Sequence, residues 1–303
     1  MKKIISVKDL QKSYDDIKAV KGISFDVIEG EFFAFLGPNG AGKSTTINII
    51  CTLLEYDNGE VIVDDNALGK DDNLIRKKVG VVFQENMLDR RLSVRQNLDI
   101  RGSFYGLDQV SLESRINTIS NMLDLGKFID QKYGTLSGGQ RRKADIARAL
   151  INTPSILILD EPTTGLDPKT RSEVWQIIEK LRNDEHITIF LTTHYMEEAN
   201  TANKVVIIND GEIVATGTPE QLRIKYSSDV LKIVPSSDQI LSLLDELDIK
   251  YQKAVDSIII RIKDSLEGLR ILNNVDKHVE AFEVIRGNMD DVFINITGNR
   301  LEV

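Results

Sequence analysis

The stretch Glu31–Thr45, EFFAFLGPNGAGKST, decides the fold. EFFAFL is a short apolar run ending at a glycine, the pattern of a buried strand. Gly37-Pro38-Asn39-Gly40-Ala41-Gly42-Lys43-Ser44-Thr45 then fits the G-x-x-x-x-G-K-[ST] phosphate loop. Glycines let the backbone turn its N–H groups inward onto phosphate oxygens. The helix read from Lys43 to about Leu54 adds its positive N-terminal end. In that setting Lys43 supplies a point charge at the β- and γ-phosphates, and the Ser44 hydroxyl is a ligand for Mg²⁺.

A phosphate loop needs an acidic partner for its metal. The apolar run Ile156-Leu157-Ile158-Leu159 ends in Asp160-Glu161 and supplies one. Asp160 is read as holding Mg²⁺ through water, and Glu161 as accepting a proton from the attacking water.

Around these motifs the chain alternates strand-like and helix-like segments. Strands are expected at 4–8, 23–28, 31–36, 60–63, 79–83, 155–159 and 187–192, with a hairpin at 205–215 around Asn209-Asp210-Gly211. A helix is expected at about 169–181. A mostly helical stretch, about 93–150, interrupts the series. Together these imply an α/β core with a largely parallel sheet and a helical insertion. After Ser227-Ser228 a second, smaller α/β unit begins. Its strands are expected at 230–234, 257–262 and 279–284, its helices at 238–247, 265–273 and 289–296. The expected organisation is a nucleotide-binding domain over 1–222 and an accessory domain over 228–303.

Composition narrows the classes. Of the 303 residues 41% are hydrophobic, enough to bury a core, so overall disorder is excluded. The net charge of −9 argues against a dedicated nucleic-acid binder, which needs a basic face. The single cysteine, Cys51, permits neither an intramolecular disulfide nor a cysteine-rich zinc site, and reads as a small buried residue. No uncharged run approaches the ~20 apolar residues of a membrane-spanning helix. The N-terminus acquires Asp9 before any apolar core develops, so it does not read as a signal peptide. The expected location is therefore cytoplasmic, with any membrane role exercised through a partner.

Leu136-Ser137-Gly138-Gly139-Gln140, followed by RRKADIARAL, brings in a family. Two glycines and a serine hydroxyl opening a helix make another anion-binding end. With the phosphate loop and the carboxylates in this order, the chain resembles ATP-binding cassette (ABC) ATPases over roughly Ile5–Thr218. The resemblance implies a P-loop NTPase fold with a helical insertion, and ATP and Mg²⁺ as cofactors. It also implies that Ser137, Gly138, Gly139 and Gln140 close over the γ-phosphate held by an opposite subunit. With one set of motifs per chain, two copies, or one copy and a similar ATPase, pair head to tail.

The same resemblance assigns further roles. Tyr14, in KSYDD, stands where the family places a ring under the adenine. Gln84, in VVFQE, matches the glutamine that touches Mg²⁺ and the attacking water. Asp167, in TTGLDP, matches the loop that crosses the dimer interface, although Thr164-Gly165 replaces the more usual serine-alanine. His194, in LTTHYMEEA, matches the histidine that contacts the γ-phosphate. His186 and His278 lack such a context and read as surface or packing residues.

Three segments resemble the daunorubicin- and multidrug-export (ABC-2) type of ATPase subunit. They are Gln84–Asp89 leading into Leu92–Leu98, then Phe104–Leu107, and the C-terminal Gly287–Gly298, where Asp290 replaces the usual glutamate. The resemblance implies a separate polytopic membrane permease as partner, a peripheral position on the inner face of the membrane, and export of drugs, lipids or other small molecules. In such proteins the 84–107 stretch contributes to a groove that receives a permease helix. Met289, Val292, Phe293 and Ile296 are expected to form one apolar helix face that packs in the accessory domain. A soluble assembly ATPase of the iron–sulfur type is the alternative.

Overall fold

All five residues of Phe32–Leu36 are buried, which demands neighbours on both sides and on both faces. The computed structural model, which describes residues 1–298, makes this segment an interior strand. The chain divides into two compact units, one spanning Met1–Thr216 and one beginning at Gly217.

The first unit runs β1 (Lys3–Tyr14), β2 (Ile17–Ile28), β3 (Phe32–Leu36), α1 (Lys43–Ile50), β4 (Asn58–Val63), β5 (Asn66–Ala67), α2 (Asp72–Lys78) and β6 (Val79–Val82). It continues α3 (Val94–Ser103), α4 (Gln109–Met122), α5 (Gly138–Leu150), β7 (Ile156–Asp160), α6 (Pro168–Glu185), β8 (Thr188–Thr193), β9 (Lys204–Asn209) and β10 (Glu212–Gly217).

Six strands form one sheet in the order β10-β9-β3-β8-β7-β6. From β9 to β6 every neighbouring pair is parallel. Four others form a second sheet, β2-β1-β4-β5. Phe25, Phe33, Phe35 and Phe190 pack ring against ring in the core that joins the two sheets, with centroids 4.9–6.4 Å apart. The turn between β9 and β10 has positive φ at both Asp210 and Gly211, the backbone expected of an Asp-Gly hairpin.

The second unit runs α7 (Pro219–Tyr226), β11 (Asp229–Pro235), α8 (Gln239–Glu246), β12 (Tyr251–Lys253), β13 (Ile258–Ile262), α9 (Ser265–Val275), β14 (Val279–Ile285) and α10 (Met289–Thr297). Its antiparallel sheet, β12-β13-β11-β14, shares a core with α8 and α9 built from Leu231, Ile233, Ile240, Leu244, Ile258 and Ile260 among others. Met289, Val292 and Phe293 are buried on α10, and Ile296 is half-buried.

Several boundaries differ from the sequence reading. β1 and β2 are each 12 residues long, because irregular pairing near Asp9 (φ 46°) breaks the alternation without ending the strands. α1 stops at Ile50 rather than Leu54, since Thr52 is left-handed (φ 61°). β5, α2 and β12 are short elements that the sequence reading lacks.

Candidate functional site

The parallel sheet gathers the site at one edge. β3 ends at the phosphate loop, β7 at Asp160-Glu161, β8 just before His194, and β6 just before Phe83-Gln84. Because the strands are parallel and in register, Leu36 opposite Thr193, Asp160 opposite Thr192 and Val82 opposite Leu159, all these ends face the same way.

Steric limits fix the loop's glycines. A Cβ on Gly37 would fall 2.4 Å from the Ile208 carbonyl, and one on Gly42 (φ 104°) would fall 2.5 Å from the Ala19 carbonyl. Gly40 is left-handed as well (φ 79°). No other residue holds this backbone without displacing its neighbours. The Lys43 side chain is buried within the loop. Its ammonium donates to the carbonyls of Gly37 (2.8 Å) and Pro38 (3.0 Å). Burial pulls its pKa down, while Glu161 and Asp160 pull it up. Ser44 is exposed on the first turn of α1.

Asp160 accepts a hydrogen bond from the Thr192 hydroxyl at 2.5 Å. Burial raises its carboxyl above the usual carboxylate range, only partly offset by that hydroxyl. Glu161 is 8% exposed and has φ 45°, a left-handed backbone that costs roughly 1–3 kcal/mol in a non-glycine residue. Its N–H donates to the Thr192 carbonyl (3.0 Å), and its Oε2 accepts from the Thr164 hydroxyl (3.2 Å). His194 Nδ1 lies 3.3 Å from Glu161 Oε1, within ion-pair range but without the angle of a hydrogen bond. The structure thus brings Lys43, Asp160, Glu161 and His194 together.

Ser137–Gln140 and Asp167 meet one another instead. Ser137 caps α5 in a reciprocal box: its hydroxyl accepts from the Gln140 backbone N–H (3.3 Å), and the Gln140 side-chain Oε1 accepts from the Ser137 N–H (2.9 Å). The Ser137 hydroxyl therefore keeps its proton free for an anion. A Cβ on Gly139 would fall 2.4 Å from the Thr170 methyl, which holds the start of α6 close by. Asp167 caps α6, accepting from the N–H (3.0 Å) and hydroxyl (2.5 Å) of Thr170, and these bonds hold its carboxyl below the usual range. Tyr14 ends β1 in the other sheet with its ring 44% exposed. Gln84, Glu85 and Asn86 are exposed.

Beside this edge lies a cavity of about 680 Å³ between α2, β6, α3 and α5. Its walls include Leu53, Met87, Phe104 and Tyr105, with Arg76 and Arg101 among its cations. Among the described residues no carboxylate lines it. Phe104 is 74% exposed, an unusual place for a phenyl ring.

The sequence reading missed Arg142 and Asp145, both buried on α5. Their RRKAD context reads as a solvated charged face. It also missed Thr192, whose hydroxyl donates to the Asp160 carboxylate and whose carbonyl accepts from the backbone N–H of Glu161.

Residues 20–164 match the family model described as ABC transporter. The chain is 33% identical to the daunorubicin/doxorubicin resistance ATP-binding protein DrrA of Streptomyces peucetius, over 97% of this chain and 92% of that protein. It is 34% identical to the Nod factor export ATP-binding protein I of Burkholderia pseudomallei, over 98% of each. Among solved structures it resembles the dimeric ATP-binding cassette MJ0796 bound to ADP and phosphate in a post-hydrolysis state. That match has a TM-score of 0.65 and 32% identity, covering 71% of this chain and 98% of that one.

Proposed function

The chain belongs to the ABC transporter family, as an ATP-hydrolysing subunit that powers a separate membrane permease, and from that premise we propose how its residues divide the work. The unit spanning Met1–Thr216 is taken as the ATP-binding unit and the one beginning at Gly217 as accessory. Lys43 and the N–H groups of the loop hold the β- and γ-phosphates, and the exposed ring of Tyr14 stacks on the adenine. Glu161 takes a proton from water attacking the γ-phosphate, with His194 and Gln84 orienting that water. Ser44, Gln84 and Asp160 offer the hard oxygen ligands that suit Mg²⁺, which when bound neutralises charge on the β- and γ-phosphate oxygens. The half-buried carboxyl of Asp160, raised above its ordinary pKa chiefly by desolvation, fits that role.

The second anion-binding end, at Ser137 and Gly139, completes the site of a partner ATPase placed head to tail, and Asp167 lies at that interface. Closure is favoured while the γ-phosphate bridges the two subunits and is lost on hydrolysis, which gives ATP its differential affinity for the closed state. The cation-lined groove with exposed Phe104 and Met87 receives a cytoplasmic helix of the permease. The permease holds this subunit on the inner face of the membrane.

The observation that carries this reading is the grouping of Lys43, Asp160, Glu161 and His194 at one sheet edge beside that groove. Exported drugs, lipids or other small molecules are the proposed cargo, since relatives are named for drug resistance and Nod factor export. The similarities favour this over the soluble assembly ATPase.

A tagged pull-down from detergent-solubilised native membranes, read by mass spectrometry, tests the partnership. A polytopic protein recovered in near-equal amount is the expected outcome. Recovery with soluble partners only, from the soluble fraction, would contradict it.

A further inference from the structure

Arg142 is 5% exposed, and its guanidinium hydrogen-bonds backbone carbonyls. Each of its three nitrogens donates to a backbone carbonyl: Nη1 to Phe83 (2.6 Å), Nη2 to Glu161 (2.7 Å), and Nε to Pro162. Phe83 immediately precedes Gln84. Glu161 and Pro162 are the left-handed residue and its successor. One planar guanidinium therefore grips both segments that the proposed chemistry uses.

Asp145 stands three residues further along α5, on the same face of the helix. Its carboxylate accepts from the Met87 N–H (3.4 Å) and from the buried Tyr133 hydroxyl (2.8 Å). The exposed Gln84–Asn86 segment is thus held at both ends, Phe83 and Met87, by side chains of α5. The same helix begins at Ser137, the residue read as facing the γ-phosphate of the opposite subunit.

We propose that Arg142 is a positioning residue for hydrolysis: it holds Glu161 in its left-handed conformation and Gln84 at the sheet edge, and ties both to the Ser137 end of α5. A left-handed glutamate relaxes toward ordinary φ unless its neighbours prevent it. Arg142 prevents it by fixing the two carbonyls that would swing. Because a helix of 13 residues moves as a rigid element, phosphate engagement at Ser137 in one site is transmitted to Glu161 in the other.

This rests on the reading of Glu161 and Gln84 as the hydrolytic pair. The test is Arg142→Lys, assayed for hydrolysis, ATP affinity and ATP-dependent dimer formation beside Glu161→Gln and the double variant. Lysine keeps the charge, but its donors sit on one nitrogen and do not reproduce the planar fork that spans the three carbonyls. We expect kcat to fall by about 10- to 100-fold, the scale of a small misplacement of a catalytic group. KM for ATP stays within about twofold, and the ATP-bound dimer still forms. In the Glu161→Gln background, Arg142→Lys costs less than it does alone, because part of its action runs through the group already removed.

Normal turnover by Arg142→Lys, with Glu161→Gln inactive, would overturn the proposal and leave the reading of Glu161 intact. Normal turnover by Glu161→Gln would overturn that reading itself. Loss of cooperative melting, or equal loss of ATP binding and hydrolysis, would make Arg142 a packing residue and also overturn the proposal.

Discussion

The two units spend their burial differently. Among the described residues, Lys43, Arg142, Asp145, Arg148, Glu161 and Glu198 are charged and buried, and all six lie in the first unit. In the second unit Ser257 is the buried polar residue, and the core is a set of leucines, isoleucines and valines. Burying a charge costs free energy unless partners compensate it, so a fold that needed only stability would avoid it. The second unit is built on that economy. The first accepts six such charges, one of them on a left-handed glutamate, and they lie after β3, β7 and β8 and along α5. The difference teaches that stability is given up where the nucleotide chemistry is done.

Substitutions in each unit should therefore fail in different ways. The largest effect on ATP binding is expected from Lys43→Ala, which removes the buried ammonium from the phosphate loop. ATP affinity should fall by at least about tenfold, the loss of a charge-assisted contact, while melting changes little. Binding titration and calorimetry on one sample check both. Unchanged affinity would break the contrast, since a buried charge in the first unit would then be serving the fold.

Leu244→Ala is the complementary experiment. Leu244 is fully buried in the second core, and truncation should cost about 2–5 kcal/mol. The expected signature is an earlier melting transition with hydrolysis at 25 °C unchanged. A parallel loss of hydrolysis would show that the second unit's packing serves the chemistry after all.

Asp160→Asn sharpens the comparison most. The folded-state pKa of Asp160 is raised, with burial the largest cause. Its charged form therefore destabilises the nucleotide-free fold above that pKa. The penalty is relieved as pH falls through the raised value toward the unfolded one. Near neutral pH the asparagine variant should melt above the wild type without nucleotide, with hydrolysis lost. The gap should narrow as pH falls through the raised pKa of Asp160. A variant less stable at neutral pH would reverse the sign and contradict the account.

The chemistry-bearing loop was legible because its physics leaves few residue choices. Gly37 and Gly42 have backbone neighbours 2.4–2.5 Å from any added Cβ, so the sequence has to write glycine there. β3 was legible because its wholly buried position demands an unbroken apolar run. Asp160 and Glu161 could be found from the apolar strand they end. What escaped was whatever depends on burial of charge. Arg142 and Asp145 sit in a charged string, and only the fold reveals that they turn inward. β12, with Gln252 and Lys253 exposed, lacks the apolar alternation that marks a strand, and the continuation of β1 to Tyr14 is hidden by the bulge at Asp9. The dual use of Gln140, in a family motif and as the cap of its own helix, also emerges only from geometry.

The central claim is that Glu161 turns an ATP-closed pair of subunits into an open one. Its most direct test is Glu161→Gln with ATP and Mg²⁺, followed by size exclusion and phosphate release. The account predicts retained ATP binding, a stable dimer and hydrolysis reduced by at least about a hundredfold, as expected when a catalytic base is removed. Normal phosphate release with no accumulated dimer would contradict it.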